Sequence, residues 1–242
     1  MIQRCLQTWA PLRREPSSAS EMVSSLLFGE TCTLQYHEKD WLYVACTFDG
    51  YEGWIPNTYL EPVEGPAHEW STIVSGHRTA LVLNDNRIHL SLGSQLPAEG
   101  LINIRGVEWQ VEDISEVKAS QPWEWAKTML HVPYLWGGRS DCGIDCSGLT
   151  QIAYKCMGLQ LPRDSRDQAL SGELISFGNH APNDLAFFNN ADGKITHVGV
   201  ISPAGIIHAS AWVKEETLTE AGIVNAISGS ISHTLHSIRR II

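Results

Sequence analysis

"YLWGGRSDCGIDCSGLTQIAY" (residues 134–154) decides how the second half of this 242-residue chain is read. Two cysteines stand four residues apart behind a glycine pair, and an apolar repeat follows. Leu149, Ile152, Ala153 and Cys156 fall at helical spacing and Gly158 supplies a stop, so a helix runs through "DCSGLTQIAYKCMGL". Asp145 is its N-cap and Cys146 lies in its first turn. Unpaired N–H groups and the positive end of the helix dipole favour a thiolate there and predict a lowered pKa for Cys146. The same N–H groups can serve as an oxyanion hole when the sulfur attacks a carbonyl. Gly137, Gly138 and Gly143 leave the sulfur accessible. Cys142 lacks the helix start, and Cys156 lies on the apolar face as a core thiol.

A thiolate nucleophile needs a base, and the base needs an orienting partner. In "KITHVGVISPAGIIHAS" (residues 194–210), His197 sits mid-strand with Ile195, Gly199 and Ile201 on its face. A two-residue Pro203-Ala204 loop, or a four-residue loop from Ser202 to Gly205, sets Gly199 opposite His208. His208 then shares the face of His197, one diagonal step away, whereas a three- or five-residue loop sends it to the other face. Same-face placement lets His208 hold one ring nitrogen of His197 while the other faces Cys146, a Cys-His-polar triad by role and chain order. A zinc site from Cys142, Cys146, His197 and His208 is imaginable. However, a Cys-x3-Cys leading straight into a helix lacks the usual knuckle, and a metal-bound Cys146 loses its reactivity. No metal or organic cofactor is expected. The other histidines (His37, His68, His77, His89, His131, His180, His233 and His236) lack such context and read as surface or core residues.

Upstream the grammar differs. Residues 1–62 alternate short apolar runs with turns: a strand from Trp41 to Cys46, a hairpin signal at Asp49-Gly50, and a strand from Tyr51 to Ile55. "EPVEGPAHEW" (residues 61–70) reads as a linker. Residues 63–117 form a second small β unit, with strands around Asn84-Asp85-Asn86 and around Gly106. From about 118 the pattern turns helical: "SQPWEWAKTMLHVP" fits a short helix capped by Ser120, with Pro122 in its first turn and Pro133 at its end. After the Cys146 helix come strands through "DLAFFNN", a turn at Ala191-Asp192-Gly193, "ITHVGVIS" and "GIIHAS". Residues 118–242 are therefore an α+β domain with an antiparallel meander.

Composition narrows the partners. A net charge of -10 argues against a nucleic-acid surface and against a polybasic membrane patch. No apolar stretch of roughly 18 residues is present, so no spanning helix is expected. The start, "MIQRCLQTWAPLRREP", lacks the apolar core of a secretory signal, which predicts a cytoplasmic location unless a leader has been removed. The six cysteines follow no compact disulfide spacing and are expected as free thiols.

"YLWGG", "DCSGLTQIAY", "LPRDSRDQ", "NDLAFFNN", "ITHVGVIS" and "IIHAS" together resemble the NlpC/P60 family of papain-like cysteine peptidases over residues from about 120 to 242. The resemblance places the nucleophile at Cys146, the base at His197, the third polar residue at His208 and an oxyanion-side tyrosine at Tyr134. The family cleaves bacterial cell-wall peptides, typically at the γ-D-glutamyl to diamino acid bond. "PLRREPSSASEMVSSLLFGE" and "DGYEGWIPNTYL" are similar to a bacterial SH3-like domain. The implied architecture is an α+β papain-like catalytic domain behind two small SH3-like β-barrels, as in γ-D-glutamyl-L-diamino acid endopeptidases with such domains in front. In that subgroup the first barrel restricts the enzyme to peptides with a free N-terminal L-Ala. Carried over, Asp164 and Ser165 of the Pro-Arg-Asp-Ser block bind substrate together with Asp145 and Ser147, and Tyr51 and Glu21 complete an amine pocket. An ammonium leaving water must be met by carboxylates and acceptors. Asp164 also fits a turn or cap residue, and Tyr51 ordinary barrel packing.

The resulting expectation is hydrolysis of L-Ala-γ-D-Glu-diamino acid murein peptides, in recycling rather than on the intact wall. Three rivals stand beside it: a secreted wall hydrolase whose barrels dock on peptidoglycan, a lecithin-retinol acyltransferase-like lipid enzyme, and a non-catalytic wall-binding module. The order of cysteine before histidine and the lack of a membrane anchor speak against the second.

Overall fold

The computed structural model of the chain describes residues 1–63, 70, 72–74, 79–97, 100–112 and 119–242. His68, His77 and most of the expected 61–70 linker lie outside the described residues. The chain divides into two compact units, Met1–Lys118 with Trp136–Cys142, and Ala119–Leu135 with Gly143–Ile242. The two expected β-barrels thus group as one unit. That unit also takes seven residues from the stretch assigned above to the catalytic domain.

In the N-terminal unit, β1 (Ile2–Cys5), β2 (Trp9–Arg13), β3 (Met22–Leu27), β4 (Thr31–Glu38), β5 (Trp41–Cys46), β6 (Glu52–Pro56) and β7 (Leu60–Pro62) form one antiparallel sheet in the order β3-β2-β6-β5-β4-β1-β7. The β5–β6 hairpin turns through Gly50 at a φ of 70°, as Asp49-Gly50 predicts, with β6 starting one residue later than expected. Alternation along the strands turns Leu12, Leu26, Val44 and Ile55 into a core shared with Cys5, Cys32 and Cys46. All six cysteines are free thiols.

The second module holds β8 (Thr72–Ile73), β9 (Ala80–Leu83), β10 (Asn86–His89), β11 (Gln95–Leu96), β12 (Leu101–Ile104) and β13 (Val107–Glu112). Four of these run in the order β10-β9-β13-β12, with β11 and β8 paired separately. The turns fall where expected, through Asn84 at a φ of 52° and through Arg105-Gly106 at 52° and 79°. Phe28 explains why the two modules cohere. It leaves the first module and packs with Leu81, Leu90, Leu96 and Ile102, while its carbonyl accepts the Gln95 N–H at 2.8 Å.

Residues Trp136–Cys142, with the short strand β14 (Arg139–Ser140), complete this unit. Gly137 sits at a φ of 77°, where a Cβ would meet the Met22 carbonyl oxygen at 2.6 Å, so only glycine fits this approach. Arg139, 1% exposed, donates to both Glu30 oxygens at 3.0 Å and to the Ser25 carbonyl at 2.7 Å.

The C-terminal unit opens with α1 (Pro122–Thr128). Its N-cap is Gln121, not Ser120: Glu124 turns back to accept the N–H groups of both residues, and Pro122 takes the first helical position. The helix also ends at Thr128, short of Pro133, because His131 adopts a φ of 73° that no helix continues. Then follow β15 (Gly143–Ile144), α2 (Cys146–Lys155) and α3 (Ser165–Gln168). β16 (Glu173–Ile175), β17 (Leu185–Asn189), β18 (Ile195–Ser202), β19 (Gly205–Ser210), β20 (Trp212–Thr219), β21 (Gly222–Val224) and β22 (Ile231–Arg240) build an antiparallel sheet in the order β16-β22-β17-β18-β19-β20-β21. β21 pairs back onto β22, which closes the sheet on itself. Ala186, Phe188, Ile201, Ile206, Ile223 and Ile238 pack together as one core. Among the described residues no helix is long and apolar enough to cross a membrane.

Candidate active site

The helix start is built as its sequence predicts. Asp145 is the N-cap of α2, its Oδ1 accepting the Gly148 N–H at 2.7 Å, and Cys146 is the first helical residue. The helix packs against β18 and β19, and the backbone N–H groups of Val198 and Ser147 point at the Cys146 sulfur. That sulfur therefore lies beside the residue next to His197.

The thiol's proton affinity runs against expectation. Cys146 is 6% exposed, and burial, followed by the Asp145 charge, pushes it up to about 12. The Val198 N–H, the Arg163 charge and the Ser147 N–H pull it down without prevailing. A helix N-terminus lowers a thiol's pKa only while water helps to solvate the anion; here desolvation dominates. Burial, with His208 and His233 nearby, likewise holds His197 well below the usual imidazole value. Both shifts favour the neutral form of each group.

The β18–β19 hairpin has the predicted register. Ser202 pairs with Gly205 and Gly199 with His208, so the loop is Pro203-Ala204 and both histidines share a face. His197 Nε2 lies 2.8 Å from His208 Nδ1, so Nδ1 is the ring nitrogen of His197 that this contact does not use. Beyond His208 comes a residue the sequence reading missed: Glu216 of β20, whose Oε2 is 2.9 Å from His208 Nε2. Its Oε1 accepts the Ala226 N–H at 3.0 Å, and Lys214 stands 3.6 Å from Oε2. Burial opposes ionisation of Glu216, yet the Ala226 N–H, His208 and Lys214 more than offset it and hold the carboxyl below its usual range. Burial takes His208 down to about 4, against the pull of Glu216.

His233 of β22, read above as an ordinary surface or core histidine, stacks on the His197 ring at 4.1 Å and 24°. The ring nitrogens of His197, His208 and His233 come within 4.8 Å of one another. Yet the two nearest are bonded to each other, and a ring stacked face-on directs its in-plane lone pairs past its neighbour. The cluster thus joins one hydrogen-bonded histidine pair to a third ring stacked on it.

Arg163 is the other residue missed. It is 3% exposed and grips Asp145 bidentately, at 3.0 Å to Oδ1 and 2.6 Å to Oδ2, with a third bond to Ser147 Oγ at 2.9 Å. Asp145 and Ser147, expected to bind substrate, are both held by Arg163 in this network. A buried cap carboxylate calls for a buried cation, which was the available signal for Arg163. Asp164 precedes α3 at its N-cap position and Ser165 begins that helix, both half-buried. Gln168 ties α3 to α2 through the Ser147 carbonyl at 3.0 Å and the Thr150 hydroxyl at 2.8 Å. Tyr134 is half-buried, its N–H on the Ala211 carbonyl and its backbone bridged to Ile144. Burial and the nearby Cys146 and Asp145 charges raise its phenol above the ordinary value, so the hydroxyl remains a donor.

Tyr51 and Glu21 belong to the N-terminal unit. Tyr51 packs against the first module's core. Glu21 accepts from Arg14 at 2.7 Å and from the Trp136 indole at 2.9 Å, so its charge already has partners within its own unit.

Residues 131–230 match the NlpC/P60 family, and residues 12–60 match the bacterial dipeptidyl-peptidase Sh3 domain. A gamma-D-glutamyl-L-lysine dipeptidyl-peptidase of Bacillus subtilis is 30% identical over 226 residues, spanning 81% of this chain and 76% of that protein. The chain belongs to the NlpC/P60 family. It is a cysteine peptidase, and its fold is papain-like with an SH3-like domain in front. A protein of the same description from Bacillus cereus is 28% identical over 80% of this chain and 68% of its own length. A crystal structure of an NlpC/P60 family protein from Bacillus cereus superposes over 100% of this chain and 99% of that one, with a TM-score of 0.79 at 21% identity, which speaks to the fold.

Proposed function

We propose that the enzyme hydrolyses the γ-D-glutamyl to diamino acid bond of murein peptides with a free N-terminal L-Ala. The observation that carries the chemistry is the alignment of Cys146 at a helix start, beside Val198, with the His197–His208 pair. The names of the two Bacillus relatives support the choice of bond.

Attack and deprotonation occur together. His197 Nδ1 takes the proton as the Cys146 sulfur adds to the γ-carbonyl carbon, so no free thiolate need form at its high pKa. The charge that develops on the carbonyl oxygen is met by N–H groups at the start of α2 and by the Tyr134 hydroxyl. The imidazolium then protonates the leaving amine, the C–N bond breaks, and a thioester remains. Water adds to it with His197 as base, which releases the peptide acid and restores the thiol.

In this reading Asp164 and Ser165 bind the substrate together with Asp145 and Ser147, which Arg163 holds in place. Tyr51 and Glu21 are assigned to recognition of the substrate amine on the strength of the family resemblance. The reading also has the enzyme work on freed peptides in the cytoplasm.

Incubation with free tripeptide, tetrapeptide and intact sacculi, followed by mass spectrometry, tests it. Release of L-Ala-D-Glu from free peptides and none from sacculi is expected. Products from sacculi alone favour the wall hydrolase. Cys146→Ala abolishes turnover if the sulfur is the nucleophile, and N-acetylated substrate is spared if the amine is read.

A further inference from the structure

We propose that Glu216 is a positioning residue that sets the proton arrangement of His197 from two hydrogen bonds away. An ionised carboxylate can only accept. The 2.9 Å contact between Glu216 Oε2 and His208 Nε2 therefore requires the hydrogen on His208 Nε2. A neutral imidazole holds one hydrogen, so His208 Nδ1 is bare and can only accept in its turn. The 2.8 Å contact to His197 Nε2 is then filled by a hydrogen on His197. By the same count His197 Nδ1 is left bare, and it is the nitrogen that must receive the thiol proton. A preference fixed at Glu216 thus passes through two rings to the reacting atom.

Among the described residues, no other group that acts on the rings can make this choice. Among the described residues, the titratable and charged groups that act on them are Lys214 and Glu216 from β20 and His233 from β22. Lys214 only donates, and it lies on Glu216 rather than on a histidine nitrogen. His233 presents its ring face to His197, and its own Nδ1 is engaged with the Ser232 hydroxyl at 3.0 Å. Glu216 itself is locked by the Ala226 N–H on its other oxygen. The carboxylate does a second thing during attack. When the S–H bond breaks and the N–H bond forms on Nδ1, the imidazolium charge is opposed by Glu216 one ring further on, so the proton pair is preserved without Glu216 taking it.

The inference rests on the pairing of Cys146 with His197 and not on which bond is cut. The test therefore begins with a readout that needs no substrate. Nitrogen-15 NMR of the imidazoles in the intact protein at neutral pH is expected to show a bare, pyridine-like Nδ1 and a protonated Nε2 on both His197 and His208. A bare Nε2 on either ring overturns the proposal. In Glu216→Gln, Ala226 retains the amide oxygen and the NH2 group faces His208 Nε2. The rings then exchange their nitrogen signals and kcat falls about 10–100-fold with KM changed less than about twofold. Glu216→Asp is expected to restore the wild-type nitrogen pattern in part. If Glu216→Gln keeps the wild-type signals and kcat, or loses only thermal stability, Glu216 is merely structural. Should that variant fail to fold, the wild-type spectrum still decides. If murein peptides prove not to be the substrate, the spectrum stands unaffected.

Discussion

Arg163 shows how much of this site is decided by one guanidinium. Both its terminal nitrogens meet the Asp145 carboxylate, and one of them also meets Ser147, in a place water scarcely reaches. Arg163→Met takes the guanidinium from the buried Asp145 charge, which is expected to cost about 3–5 kcal/mol by denaturant titration and to depress kcat/KM with it. Arg163→Lys keeps the charge but loses the fork geometry, so activity returns only in part. His208 predicts a pH dependence. Its folded value near 4 lies below the free-histidine value of 6.5, so the unfolded chain binds the extra proton first as pH falls. Its stability contribution is intact above 6.5 and drains away towards 4, on the order of 3 kcal/mol in all. Thermal melts across that window should show the loss, and His208→Asn should flatten it. The helix start at Cys146 was readable from its Asp-Cys-Ser-Gly setting. The raised pKa of the thiol was not, because desolvation depends on β18, which is remote in sequence.

At the level of elements, the β18–β19 hairpin turns a loop length into a catalytic arrangement. With two residues between Ser202 and Gly205, Gly199 faces His208 and the two imidazoles meet. One residue inserted between Pro203 and Ala204 should move His208 to the opposite face and abolish turnover, whereas two inserted residues restore the parity and part of the rate. The sequence showed a turn at Pro-Ala-Gly between two clear strands and left the loop length open, which the Ser202–Gly205 pairing settles. The sequence did not show the next turn. β19 and β20 are joined through Ala211 at a φ of 63°, where no glycine or asparagine advertises a reversal, so Glu216 could not be placed opposite Ile206 in advance. The same limit applied to α1, whose early end is dictated by His131, a residue with no stop signal.

On the scale of the whole molecule, the SH3-like grammar and the papain-like blocks were both visible, but the grouping of the chain was not. Phe28 crosses from one module's strand into the other's core, a packing choice that no local pattern encodes. The Arg139–Glu30 pair lends itself to a double-mutant cycle. Arg139→Met alone strands a buried carboxylate and should destabilise the N-terminal unit by about 3–5 kcal/mol, while Arg139→Met combined with Glu30→Leu should cost markedly less. That pair also bears on how the chain can be divided. Because Trp136–Cys142 completes the N-terminal unit, a cut after Lys118 produces no clean halves. The front piece keeps Glu30 without its guanidinium, and the rear piece carries Arg139 without its carboxylate. Swapping the N-terminal modules at that boundary would separate the two partners of this buried ion pair. The seven-residue strap should be exchanged together with the modules it completes.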